Sequence, residues 1–275
     1  MSTSVCLTFE FDAMALWSGT IGSTSVSDLS RGDFERIAVP RVLRVLDRFD
    51  AYATWFIPGA VASLFPDLVR RVVDSGHEVA HHGWAHERVE HHEDENRRVL
   101  ERGIEVLEEL AGGRPRGYRV PGGFITDRQL ELLLEYGFLW DSSLQGSDFI
   151  AYYVRRGDSL LPDGSYHFGE PIEVVEVPVS WQLDDFPAFE FVWGLNSGLR
   201  APSDVLEIWQ GDFEFMRRDV PDGVYSPCLH TQVIARGHRL LMFERLLDYI
   251  SSAGDVLFET VSSYATRWKE ANALG

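Results

Sequence analysis

The chain has 275 residues, 45% of them apolar and 12% aromatic, enough for one large α/β domain with a substantial core or for two small ones. Its net charge of −18 excludes nucleic acids and anionic membrane surfaces as general partners, because it repels both. Two cysteines, Cys6 and Cys228, are too few for a disulfide framework and read as buried free thiols. With no signal-like N-terminus and no apolar run of bilayer length, the expectation is a soluble, cytoplasmic protein.

Strand-like and helix-like stretches alternate along the chain. Residues 6–12 open as a strand that ends in two acids, Glu10 and Asp12, on one face. A Ser/Gly/Thr-rich loop is expected at 18–32, then a helix from about Val39 to Phe49 with Pro40 in its first turn. A strand at 53–57, a helix at 66–75, a strand at 77–81 and a long charged amphipathic helix at 93–110 follow. Residues 117–120 read as a short strand, Thr126–Gln129 as a capping box opening a helix that closes at Gly137, and 138–140 as another strand. An irregular stretch is expected at 145–170, strands at 173–179 and 224–230, a helix at 238–252, a strand at 255–258 and a last helix at 260–272. Such alternation favours a parallel α/β barrel or an open doubly wound sheet, with ligands gathering at the carboxyl ends of the strands.

Six of the nine histidines fall between His77 and His92. His82 and His86, four apart, can aim both imidazoles at one point if the backbone turns helically there. Neutral imidazole is the commonest ligand for zinc and its neighbours, and a carboxylate often completes a three-ligand catalytic site. Glu10 or Asp12 offers that carboxylate, since two acids at the end of a core strand are costly unless they serve a metal or a proton transfer. His81 is the rival in the wrong register, and His77, His91 and His92 are left as bystanders. Arg119 and His230 also stand at expected strand ends.

Thr8-Phe9-Glu10-Phe11-Asp12, His82-Gly83-Trp84-Ala85-His86, Arg119-Val120-Pro121 and Leu229-His230 occur in the order and rough spacing of the polysaccharide deacetylases. The chain resembles this NodB-homology, carbohydrate esterase family 4 group from about residue 4 to 265. Its wording is most similar to a cytoplasmic branch related to allantoinases and cyclic imide hydrolases. The resemblance implies one catalytic domain over 1–275, folded as a distorted (β/α)7 barrel. It implies Asp12, His82 and His86 as ligands of a divalent metal, Zn2+ first, with Co2+, Mn2+ or Ni2+ as alternatives. Glu10 takes the general-base position, where most members carry aspartate. Arg119 matches the arginine that positions the base, Gly122 the backbone N–H facing the oxyanion and His230 the general acid. Asp184 or Asp185 would orient His230. Trp84 and Trp181 read as substrate-pocket walls or core rather than catalysts.

The implied activity is metal-dependent hydrolysis of a C–N amide bond, with a small N-acetylated sugar or related N-acyl compound as substrate. The alternatives are an allantoinase-like or imide-opening amidohydrolase and a metal-binding protein without turnover. The branch also implies a homo-oligomer, as a tetramer.

Overall fold

The computed structural model describes residues 3–87 and 93–274. Eight strands form the main sheet: β1 (Leu7–Glu10), β2 (Ala53–Ile57), β3 (Glu78–His81), β4 (Gly117–Tyr118), β5 (Trp140–Asp141), β6 (Tyr152–Arg156), β7 (Glu170–Glu176) and β8 (Cys228–His230). Their order is β8-β1-β2-β3-β4-β5-β7-β6. The first seven in that order run parallel, and β6 adds antiparallel at the edge. A parallel bridge between Asp184 and Cys228 spans the gap beyond β7, back toward β8. Seven parallel strands in this order match the (β/α)7 barrel that the resemblance implies, one of the two architectures the alternation left open. A small parallel sheet of Val224–Tyr225, Thr3–Val5 and Val256–Phe258 lies at the amino ends.

The period of two in β1 sorts its side chains. Leu7 and Phe9 join the apolar cluster with Val42, Leu46 and Val69 of the helices Glu35–Arg48 and Pro66–Asp74, and Phe9 stacks on Trp55 at 5.0 Å. Thr8 and Glu10 face the other way, toward Arg119, whose guanidinium lies 4.0 Å from the Phe56 ring. One face of the strand therefore builds the core and the other builds the site.

Several elements depart from the sequence expectations. Residues 16–34 are not a plain loop but a π-helical turn (Leu16–Thr20), a helical turn (Val26–Leu29) and a 3-10 segment (Ser30–Phe34). This run feeds directly into the next helix, which begins at Glu35 rather than Val39, so Pro40 sits inside it and not in its first turn. The stretch 145–170 contains β6 and a two-stranded hairpin of Ser159–Leu160 and Tyr166–His167. The expected strand 224–230 is split at Ser226–Pro227 between the two sheets, as a proline that cannot donate to a ladder favours. The helix Pro202–Asp219 went unread, although Val205, Trp209, Phe213 and Met216 bury one face at helical spacing. Thr126 does cap its helix, accepting from Gln129 N–H at 3.2 Å. No described helix is long and apolar enough to cross a membrane.

At the carboxyl ends of β5 and β7, Asp141 and Glu176 stand in register, both buried. Glu176 accepts from Ser143 N–H and Leu144 N–H at 2.9 and 2.8 Å, and Asp141 accepts from Ser143 Oγ at 2.8 Å. Among the described residues Asp141 Oδ2 and Glu176 Oε2 have no hydrogen-bond partner, and one proton shared between the two acids would satisfy both. Burial, then the charge of Asp141, pushes Glu176 well above the usual carboxylate range, and burial pushes Asp141 up to about 6. Raised acid pKa values mean that the folded chain keeps a proton the unfolded chain releases. This contribution is full below about pH 4 and is lost as pH rises through 6 and beyond. In Glu176→Gln, the amide oxygen keeps both backbone bonds and its NH2 replaces the shared proton. Thermal melts should show wild type losing more stability than Glu176→Gln between pH 5 and 8, by roughly 1–3 kcal/mol. Parallel pH profiles for the two proteins would contradict the shared proton.

Candidate active site

Glu10, Asp12, His82, His86 and His230 converge at the carboxyl ends of β1, β3 and β8, all buried. The strand ends at Glu10, and Asp12 follows in the connecting turn, where Ala13 takes a left-handed φ of 48°. His82 and His86 meet without a helix between them. Gly83–Ala85 form a turn, and Glu87 accepts from Trp84 N–H (2.9 Å) and from Ala85 N–H. His86 completes the reversal at a φ of 56°, a conformation that a non-glycine residue holds only when its surroundings enforce it.

Each of the two imidazoles has its tautomer fixed from behind. His82 Nδ1 lies 2.8 Å from the carbonyl of Arg119, which can only accept, so Nδ1 carries the hydrogen. Thr20 Oγ1 donates to the His86 carbonyl at 2.9 Å and so receives the Nδ1–H of the same histidine at 2.7 Å. Both Nε2 atoms therefore present lone pairs, and neither has a hydrogen-bond partner among the described residues. Gly19 allows this arrangement, since a Cβ there would stand 2.3 Å from the Ala85 carbonyl.

Asp12 stands between them, with Oδ1 3.6 Å from His82 Nε2 and Oδ2 3.6 Å from His86 Nε2. Both of its oxygens are buried without a hydrogen-bond partner among the described residues, and burial pushes its pKa up to about 7. Donors on a tetrahedral ion with bonds of about 2.0–2.1 Å lie roughly 3.3–3.4 Å apart. The separations, the two outward lone pairs and the unpartnered buried carboxylate all fit a divalent cation. Among the described residues, Glu10, Asp12, His82 and His86 form one grouping able to hold an ion, and two further groupings centre on His230.

Glu10 is shared between two environments. Its Oε2 lies 2.9 Å from His230 Nε2 and 3.5 Å from His82 Nε2, and its Oε1 is 3.3 Å from Arg119 Nη1. Burial opposes ionisation of Glu10, but the charge of the neighbouring His230 outweighs it and holds its pKa well below the usual range. Burial likewise opposes protonation of His230, and Glu10 and Asp185 outweigh it, raising its pKa well above the ordinary value. The pair is thus an ionised carboxylate beside an imidazolium. Asp185 Oδ1 accepts from His230 Nδ1 at 2.8 Å and from the His230 backbone N–H at 2.9 Å. Asp184, which the sequence left as an equal candidate, is 3.7 Å from Nδ1 and instead accepts from Phe186 N–H.

The guanidinium of Arg119 is clamped by Ser142: Nε donates to its carbonyl and Nη2 to its Oγ, each at 2.8 Å. A cleft opens over Glu10 and Arg119, with Gly122, Ser143 and Trp181 in its wall. Gly122 and Gly123 take left-handed φ values of 69° and 80° after Pro121, so the chain turns tightly at the rim. Trp181 is 48% exposed there. Trp84 does not line the cleft: its indole lies under the Arg102 guanidinium at 3.6 Å and against Gly59, which corrects the expectation of a pocket wall. His81 points to Gly103, accepts from Gly83 N–H at 3.1 Å and is kept neutral by burial, its pKa lowered to about 3. His77 lies apart, against Trp55 of the core, and His91 and His92 lie outside the described residues. Sequence reasoning passed over Thr20 and Cys228. Thr20 carried no signal beyond being a polar residue in a loop, and Cys228 read as a core thiol.

A family profile described as polysaccharide deacetylase matches residues 29–139. The peptidoglycan deacetylase of Helicobacter pylori is 34% identical over 282 residues, covering 96% of this chain and 95% of that protein. A solved Mycobacterium smegmatis structure assigned to the polysaccharide deacetylases is 32% identical, with a TM-score of 0.87 over 99% of this chain and 92% of its own. A solved allantoinase shares the fold at a TM-score of 0.81 and 20% identity, over 99% of this chain and 92% of its own. With near-complete coverage at this identity, and with the barrel, the chain belongs to the polysaccharide deacetylase family.

Proposed function

We propose that the protein removes the acetyl group from an N-acetylated sugar by hydrolysing its C–N amide bond. We assign the metal to Asp12, His82 and His86, with residues 1–275 acting as one catalytic domain. The observation that carries this reading is the Asp12–His82–His86 donor triangle set directly beside the Glu10–His230 ion pair. A bound divalent metal, Zn2+ by this donor set, would supply Lewis acidity to water and to the amide carbonyl.

In this reading, Glu10 Oε2 takes the proton of the attacking water while Arg119 holds Oε1. His230 Nε2 gives its proton to the leaving nitrogen, without which an amine anion would have to depart. Asp185 fixes the ring and supports its positive charge. The Gly122 N–H would face the developing oxyanion, and Trp181 at the rim would offer a ring face to the sugar. At rest Glu10 Oε2 and His230 Nε2 lie 2.9 Å apart, each the other's partner. That contact therefore holds both groups in their reactive protonation states until substrate arrives. The fold shared with an allantoinase carries no activity by itself.

Two further features belong to the same proposal. Cys6 and Cys228 are free and buried, in keeping with a cytoplasmic location. Phe191, Trp193, Leu195 and Leu199 expose apolar surface on one segment, in keeping with a homo-oligomer, as a tetramer.

The test is acetate release from N-acetylglucosamine, its short oligomers and N-acetylated wall precursors. Glu10→Gln should lower kcat by about 10²–10⁴-fold, and chelation should abolish turnover until Zn2+ is returned. Turnover indifferent to both would overturn the reading. Thr20→Val leaves the His86 Nδ1–H without its acceptor. It should weaken Zn2+ binding by about 10–100-fold in competition with a chromogenic chelator, whereas unchanged affinity would remove Thr20 from the metal site.

A further inference from the structure

The wall beside Glu10 holds a side chain that the deacetylation reading does not use. Cys228 opens β8 in register with Thr8 on β1, so its side chain shares a face with Glu10 and His230. It is 5% exposed, and its Sγ lies 3.2 Å from Glu10 Oε1 and 3.3 Å from Arg119 Nη1. Nη1 has only two hydrogens, yet three acceptors surround it: Thr8 Oγ1 at 3.1 Å, and Glu10 Oε1 and Cys228 Sγ at 3.3 Å each. It cannot serve all three along straight bonds, and 3.3 Å is long for a charge-assisted contact. The guanidinium is committed elsewhere as well, through Nε and Nη2 to Ser142. Arg119 alone therefore leaves Glu10 Oε1 loosely held.

The thiol brings a hydrogen of its own. Burial, followed by the neighbouring charges of Asp184 and Glu10, raises its pKa well above the ordinary value, so the group is S–H and not thiolate. A buried protonated thiol is a poor nucleophile, which leaves hydrogen-bond donation as its chemistry here. We propose that Cys228 is a positioning residue for the general base: its S–H donates to Glu10 Oε1 and keeps Oε2 aimed between His82 and His230. The inference rests on Glu10 acting as the base. Side-chain length links the two residues. Glutamate reaches about 1.5 Å, one carbon–carbon bond, farther than aspartate, so the thiol contact belongs to the longer acid.

The experiment measures kcat and KM for acetate release by wild type, Cys228→Ala, Cys228→Ser, Glu10→Asp and the double variant Glu10→Asp/Cys228→Ala. Melting temperature and metal content are recorded for each. Cys228→Ala should lose about tenfold in kcat, with KM within twofold. Cys228→Ser, which keeps a donor, should recover most of that loss. In the Glu10→Asp background, Cys228→Ala should cost nothing further, because the shorter carboxylate no longer reaches the thiol. An unchanged kcat in Cys228→Ala, a loss that serine does not relieve, or an equal loss in both backgrounds would each overturn the proposal and leave Cys228 as a pocket wall. A harmless Glu10→Gln would instead remove the base assignment and this inference together. An inactive Glu10→Gln beside an unaffected Cys228→Ala would remove this inference alone.

Discussion

A carboxylate taken wholly out of water needs a partner of opposite charge, and among the described residues neither oxygen of Asp12 has a hydrogen-bond partner. The rest of the site is arranged around that constraint. His82 and His86 flank the carboxylate with their bare Nε2 atoms, and the fold uses an Arg119 carbonyl and a Thr20 hydroxyl to keep those atoms bare. Arg119 has a double part in this. Its backbone sets the His82 tautomer while its side chain faces Glu10, so the metal donors and the proposed base are registered by one residue.

Two separate frameworks hold this arrangement. At the carboxyl ends of β5 and β7, the Asp141–Glu176 pair fixes Ser143 and Leu144, Ser143 Oγ accepts from Val120 N–H, and Ser142 clamps the Arg119 guanidinium. On the opposite side, Gln232 donates to the Ala13 carbonyl at 3.1 Å and accepts from Trp17 Nε1 at 2.8 Å, and Arg31 stacks over that indole at 3.8 Å. This second framework braces the left-handed turn that follows Asp12. The strained conformation at Ala13 is thus paid for by this second framework, and that at His86 is held by the two contacts to Thr20.

The parts legible in the sequence are those with a period or a fixed offset. β2 and the helix Pro66–Asp74 announced themselves through apolar runs and proline or glycine punctuation, and Thr126 through its cap. The convergence of Glu10, Asp12, His82, Arg119 and His230 followed from strand ends, because a parallel sheet brings those ends together whatever lies between them. What was not legible depends on tertiary contact. The π-helical turn at Leu16–Thr20 forms against the Ala85–His86 backbone, and no local signal in a Ser/Gly/Thr stretch reports that contact. The choice of Asp185 over Asp184 turns on which carboxylate caps the Asp185–Phe189 helix, as Asp184 does. Trp84 fell within the histidine motif, yet packing against Gly59 and Arg102 turned it toward the helices.

The central claim is that the buried charge of Asp12 is matched by a metal ion that the two histidines share. The most direct measurement is the metal content of freshly purified protein, wild type beside His82→Ala, by elemental analysis. The account predicts about one divalent ion per chain in wild type and its loss in His82→Ala, with the variant still folded by circular dichroism. No metal in either protein after incubation with Zn2+, or equal metal in both, would contradict it.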